Sequence, residues 1–484
     1  MDNLTYQGRH LHRPASDFLS NAKLTQTTFL DLVNQINRIS NSALLTPQEF
    51  GAIGDNLEHP VSDWLTGGTY DRGYADLAAI QADYPHVVAL TDQIDWAAIQ
   101  KACDAALNYG WGVRRALVHI PCGTYRINRT IKLGHEVLLR GEHRAASVII
   151  TSTDWDNSQN YWMVEAARGG IDYQHVNGIA CLGLDGGLRA NGCIWWWNAN
   201  ENGGGFQFEL KNFLQVGMRF AKRPGESDPI INFAIQDFHI ATTRGEEDCI
   251  GIDIQGVNHP LLIEKGTILL RGPSGGPGAN GIGIRLNAQN MFICNVNAIH
   301  TENCKDGIQC VKGHHVIENC EGWHTVNNVV RIMSSMNNQD DRTLVKGILG
   351  TYNLGGGACI QDDSVDVNGG PLRIGRPFFE GSYGSARYKR NGIGLSNRGQ
   401  SSQAVKPVGD PHEGKFLIGH GFRDVNGNYL RPSYAQISVV SSNNKGICQV
   451  EGYTSDNQHA IIAFHNFDGS LKGGAHVFNY DFAY

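Results

Sequence analysis

Phe50-Gly51-Ala52-Ile53-Gly54-Asp55, Asp95-Trp96-Ala97-Ala98-Ile99-Gln100-Lys101-Ala102, Val118-His119-Ile120-Pro121-Cys122-Gly123-Thr124-Tyr125-Arg126-Ile127 and Val137-Leu138-Leu139-Arg140-Gly141-Glu142 follow one another within about a hundred residues. Trp96, Ile99, Ala102, Cys103 and Ala106 recur at spacings of three and four, which predicts an amphipathic helix from Asp95 to Leu107. Asp95 is expected to cap its N-terminus. Pro121-Cys122-Gly123 turns the chain between two β-rich segments. A helix placed here would cover the open end of a stack of strands, which otherwise exposes unpaired backbone.

Downstream, from about 115 to 375, short β-branched runs follow one another. Gly251-Ile252-Asp253-Ile254, Gly283-Ile284-Arg285-Leu286 and Gly307-Ile308-Gln309-Cys310 echo each other at steps of 32 and 24 residues. The longer step contains the insert Arg271-Gly272-Pro273-Ser274-Gly275-Gly276-Pro277-Gly278. Ile299-His300-Thr301 and Trp323-His324-Thr325 also lie 24 apart. Two phrases with one period predict a solenoid. On that period His300 would stack beside His324, with His239 a rung earlier.

The opening phrases, in this order, resemble the start of the pectate-lyase-like superfamily. There a strand ending in Gly-Ala-x-Gly-Asp precedes a helix with Ala-Ile-Gln, a Pro-x-Gly-x-Tyr turn and a strand ending in Gly. The resemblance is strongest over residues 46 to 145 and implies an all-β chain, a right-handed parallel β-helix. About forty residues separate the Gly-Ala-x-Gly-Asp phrase from the helix. Such an insertion looks like those of bacteriophage tailspike polysaccharide depolymerases and argues against a plant-pectin enzyme.

Composition agrees. Glycine supplies 59 of 484 residues and charged residues only 18%, against usual shares of about 7% and 25%. That pairing suits short strands and tight turns and does not suit a helical bundle. The net charge of −7 without a basic run excludes nucleic acid as an expected partner. The 11 cysteines show no metal-ligand spacing and read as buried thiols. The first twenty residues hold no long apolar core, so no classical signal peptide is expected, and no stretch approaches a membrane span.

Three parts are expected. Residues 1–45 form an N-terminal helical neck, because Phe29, Leu32, Val33, Ile36, Ile39 and Ala43 make a heptad-like seam that would gather three chains. Residues 46–375 form the parallel β-helix with its capping helix at about 95–107. Residues 376–484 form a C-terminal antiparallel β region, read from alternating strands at 437–440, 446–450, 460–464 and 475–480.

Hydrolysis of a glycosidic bond needs two carboxyl groups across it. Glu302 and Glu321, 19 apart, flank the two His-Thr phrases. Asp306 and Asp248 precede Gly-Ile strands in comparable places. Together with His300 and His324 these are the candidate catalytic residues, in a groove where crowded carboxylates would raise one another's pKa values. Elimination would instead need a base and a cation for the uronate carboxylate. His300, His324, Lys305 and Arg331 are candidates for those roles. Trp195 and Trp197, with Glu201 in the following Asn/Gly loop, are the candidate sugar platform. Trp196 points the other way along the strand. Glu209 is an outlying carboxylate. Asp362-Asp363-Ser364-Val365-Asp366 would suit Ca²⁺ only in a lyase; otherwise no cofactor or metal is expected. Asp410-Pro411-His412-Glu413 looks like part of the Tyr-Gly-x-Asp-Pro-His motif of mannuronan C5-epimerases but lacks the Tyr-Gly.

The sequence therefore points to a homotrimeric depolymerase of a bacterial surface or extracellular polysaccharide, acting by endo-hydrolysis. The alternatives are a polysaccharide lyase and a non-catalytic glycan-binding adhesin. Its expected place is the phage tail or the extracellular space, with no membrane insertion.

Overall fold

Through the middle of this chain strand pairing is parallel and advances one rung at a time. The computed structural model describes residues 44–107, 116–134, 137–166, 178–197, 204–221, 233–245, 248–255, 261–274, 280–287, 293–333, 342–351 and 359–363, with separate strands before and after. Two large sheets of 17 and 13 strands exchange the chain between them. The second sheet takes Gly192–Trp196, Val216–Ala221, Ile250–Gln255, Ile282–Asn287, Asp306–Lys312 and Asn328–Ile332. Between these the chain crosses to the first sheet, through Glu209–Lys211, Phe233–Thr242, Leu261–Leu270, Ile293–Glu302 and the pair His314–Glu318 and Glu321–Trp323. Each strand pairs in parallel with its successor in the same sheet, so the architecture is a parallel β-helix.

The interior is built from in-register apolar ladders. Ile194, Met218, Ile252, Ile284, Ile308, Val330 and Ile360 lie opposite one another in succession and are all fully buried. Burying each such side chain contributes about 1.5–3 kcal/mol. The Gly-Ile echo has a steric cause. A Cβ on Gly251 would come within 2.6 Å of the Gly283 carbonyl oxygen, and one on Gly283 within 2.4 Å of the Gly307 oxygen. The glycines form a column that lets rungs close on each other.

A second column marks a corner inside the first sheet. Cys181, Gln207, Asp237, Lys265, Ala298 and Asn319 occupy equivalent places on successive rungs, all at φ between 51° and 55°. The left-handed conformation costs a non-glycine residue roughly 1–2 kcal/mol. The rung ladder continues through it, since the Cys181 and Gln207 amides donate to Phe206 and Gln236 of the next rung.

The opening phrases meet in one knot. Thr124 N–H donates to the Gly54 carbonyl and Asn56 N–H to the Thr124 carbonyl, each at 2.9 Å. Tyr125 is buried, its hydroxyl donating to Pro121. The helix runs Ile94–Leu107, so Asp95 lies in its first turn and does not cap it. Its carboxylate instead accepts the amides of Ile53 (2.7 Å), Gly54 (3.2 Å) and Arg126 (3.0 Å). Burial raises the Asp95 pKa above the ordinary value against these bonds, which pull it down. Trp96, Ile99, Ala102, Cys103 and Ala106 are buried as their spacing predicts, and the helix packs across the strands Ala116–Ile120, Gly123–Ile127 and Ile131–Leu133. The inserted residues fold over the same end, with Val61, Trp64, Ile80 and Tyr84 in the core.

Asp2–Tyr6 and Arg9–Arg13 pair as an antiparallel hairpin; the seam from Phe29 to Ala43 lies outside the described residues. At the other end Ile393–Ala404, Tyr434–Val439 and Ala475–Ala483 pair antiparallel, as do Phe416–Gly419, Ile447–Tyr453 and His459–His465. Among the described residues there is no disulfide, and eight of ten cysteines are buried. No described helix is long and apolar enough to cross a membrane.

Candidate functional site

His300 and Glu302 stand two apart on one strand of the first sheet, with buried Thr301 pointing inward between them. On the next rung Glu321 lies opposite His300, and Trp323 opposite Glu302. Alternation therefore places all four side chains on the outer face. His300 Nδ1 is 3.2 Å from Glu321 Oε2, and its Nε2 is 3.7 Å from Glu302 Oε2. The imidazole thus bridges the carboxylates, and their oxygens are at most roughly 9 Å apart, inside the upper limit of about 9.5 Å for paired carboxyls in glycoside hydrolysis. Asn303 Nδ2 donates to Glu302 at 3.0 Å, and Arg271 lies 3.9 Å from it. Trp323 is 37% exposed, a large aromatic surface beside the carboxylates.

Register corrects the stacking inferred from the His-Thr echo. Glu209, His239, Thr267, His300 and Glu321 form one row across successive rungs. His324 belongs to the corner after the strand, at φ 51°, with its ring stacked on Trp323 at 4.8 Å. It is a neighbour of the cluster through Trp323 and does not lie beside His300. Two rungs before His300, His239 Nδ1 and Lys211 Nζ contact Glu209 at 2.9 and 2.8 Å. Burial raises the Glu209 pKa, but these bonds outweigh it and hold the carboxyl below its ordinary value.

Asp306 and Arg331, placed by spacing in the same groove, lie on the second sheet. Asp306 is fully buried, accepting from Gln309 at 2.7 Å and Asn328 at 2.9 Å, with Arg331 at 3.7 Å. Arg331 also binds Asp363 at 3.0 Å. Earlier on that sheet buried Asp253 lies between Arg219 and Arg285, each at 2.9 Å. Asp248 is an exposed residue in the turn before Ile250–Gln255, and Lys305 sits in the turn that joins the two sheets. Neither is brought to the imidazole cluster by any contact among the described residues.

Trp196 is in the core, as alternation predicts. Trp197, expected on a sugar platform, is 7% exposed and packs against Trp195 at 6.0 Å. Trp195 is half-buried on the second sheet, donating its indole N–H to the Ala221 carbonyl. The exposed aromatic of the cluster is Trp323, which the echo had hidden. It shares a face with Glu321 by i, i+2 alternation, and that signal was available in the sequence. Glu201, Ser364 to Asp366 and Asp410 to Glu413 lie outside the described residues. Among the described residues no three His, Cys, Asp or Glu side chains are grouped to hold a metal.

No protein-family model and no curated protein matches the chain. Solved structures similar to it include the tailspike protein gp49 of Pseudomonas phage LKA1, at 14% identity and TM-score 0.33, over 90% of this chain and 99% of that one. The catalytic unit of a GH87 α-1,3-glucanase from Streptomyces thermodiastaticus is similar at 11% identity and TM-score 0.31, over 70% of this chain and 69% of that one. The A-module of an Azotobacter vinelandii mannuronan C-5 epimerase is similar at 16% identity and TM-score 0.33, over 72% and 97%.

Proposed function

We propose that this chain is a polysaccharide depolymerase that hydrolyses glycosidic bonds within a glycan, using Glu302 and Glu321. The observation that carries the reading is the pair of half-open carboxylates on either nitrogen of His300, with the exposed Trp323 alongside. One carboxyl protonates the leaving oxygen and the other activates water or attacks the sugar. His300 positions both. Trp323 offers a flat apolar face to a sugar ring. The glycan is the bacterial surface or extracellular polymer expected from the opening phrases, and the protein acts as a homotrimer on a phage tail or free outside the cell.

The test is incubation with capsular polysaccharides and exopolysaccharides, reading new reducing ends and absorbance near 232 nm together. Reducing ends without an absorbance rise support hydrolysis. A parallel rise means elimination and moves the chemistry to a base such as His300. Saturable binding with no chain shortening makes the protein an adhesin.

A further inference from the structure

A cleft of about 100 Å³ opens on the first sheet, away from the imidazole cluster, lined by His143, Arg144, Cys181, Gln207 and Asp237. Three of the five, Cys181, Gln207 and Asp237, are consecutive members of the left-handed corner column. Arg144 is poised across the opening, its Nη1 3.7 Å from Asp237 Oδ1 and 3.4 Å from the Asp237 carbonyl. Phe206, the chain neighbour of Gln207 in the cleft wall, is 48% exposed. In register it is flanked by Ala180 on one rung and Gln236 on the next, with exposed Arg140 beyond the small alanine. An open aromatic ring one residue along from a cleft that holds a guanidinium, a carboxylate and an amide matches a sugar ring, which is apolar on its face and hydroxyl-bearing at its rim.

Between the cleft and the cluster lies a row of polar side chains on successive rungs. Gln236 donates to Glu264 at 2.9 Å, and Asn297, one rung on, donates to the same carboxylate at 3.3 Å. Asn297 lies next in line before Glu318, on the rungs that carry His300 and Glu321. From Gln207 to the His300 and Glu321 rungs is three to four steps, about 17 Å at the spacing of neighbouring strands. A glycan of a few sugar residues spans that distance.

We infer that this corner cleft is a distal sugar-binding subsite, holding one unit of the same polysaccharide whose cleavage point lies at His300, Glu302 and Glu321. The inference rests on the proposed glycan activity but is separable from it, because it concerns binding. The subsite makes the enzyme grip its substrate well away from the scissile bond, which favours internal over terminal attack.

The test uses the full chain and native affinity gels cast with alginate, hyaluronan, xanthan and dextran. Phe206→Ala and Arg144→Ala, checked by their melting curves for an intact fold, should be retained about tenfold more weakly than wild type on whichever gel retains it. Equal retention of wild type and both variants overturns the subsite while leaving cleavage at the cluster standing. Weaker retention of the variants without any chain shortening keeps the subsite and removes the depolymerase. Wild type that runs freely through a gel cast with a polymer it shortens overturns the subsite and leaves the cleavage standing.

Discussion

The two sheets put carboxylates on their outer faces in opposite ways. On the second sheet Asp253 and Asp306 are fully buried, the first between two guanidinium groups from adjacent rungs and the second bonded by Gln309 and Asn328 with Arg331 at 3.7 Å. On the first sheet Glu302 and Glu321 keep 16% and 40% of their side-chain surface and meet across an imidazole, beside an open tryptophan. A buried carboxylate with its lone pairs filled by arginine or amide donors has no capacity left for a substrate. A carboxylate that shares a histidine and faces solvent does. The residue types alone do not separate these cases; the partners do.

Breaking the second-sheet clamp should have the larger effect on stability. Asp253→Ala removes the anion between Arg219 and Arg285, and we expect a loss of about 3 kcal/mol, seen as a lower melting temperature. Reducing-end production below that melting temperature should be unchanged. A Glu302→Gln protein should show the reverse pattern.

A comparable term in size comes from the first sheet's interior. Burial pushes the His315 pKa down to about 4, assisted by His314 and opposed by the bond to the Lys312 carbonyl. The unfolded chain, with its ordinary pKa near 6.5, takes up a proton first as the pH falls. Stability is therefore full above about pH 6.5 and lost between about 6.5 and 4, by about 3 kcal/mol. His315→Gln should flatten that part of the melting-temperature profile, and a variant with the wild-type slope would assign the slope to other groups.

The smallest effect sharpens the first-sheet side. Trp323→Ala should raise KM about tenfold with kcat little changed, the mark of a contact made equally in ground and transition states. An equal fall in kcat would give the indole a part in the chemistry.

The fold was readable because its phrases are mechanical. Gly54, Thr124, Tyr125 and Asp95 touch in one knot, and the Gly-Ile echo repeats because each glycine makes room for the next rung. The grouping of the candidate residues was half readable. The spacing placed Glu302, Glu321 and His300 together, as they are in the fold, but a shared rung does not say which sheet a residue faces, and so Asp306 and Arg331 were grouped with them. The His-Thr echo misled because rung length changes along the chain: the second sheet advances 24 residues from Ile284 to Ile308 but 22 from Ile308 to Val330, and the first sheet 21 from His300 to Glu321. Turns of unequal length change the step from one rung to the next, and no single period describes them all.

The most direct test of chemistry at the open carboxylates is the rate at which Glu321→Gln produces reducing ends from the polymer that wild type cleaves, with its melting curve taken alongside. Glu321 as a catalytic carboxyl requires a fall of about a hundredfold or more at an unchanged melting temperature. Full activity in that variant would contradict it and place the reaction elsewhere on the molecule.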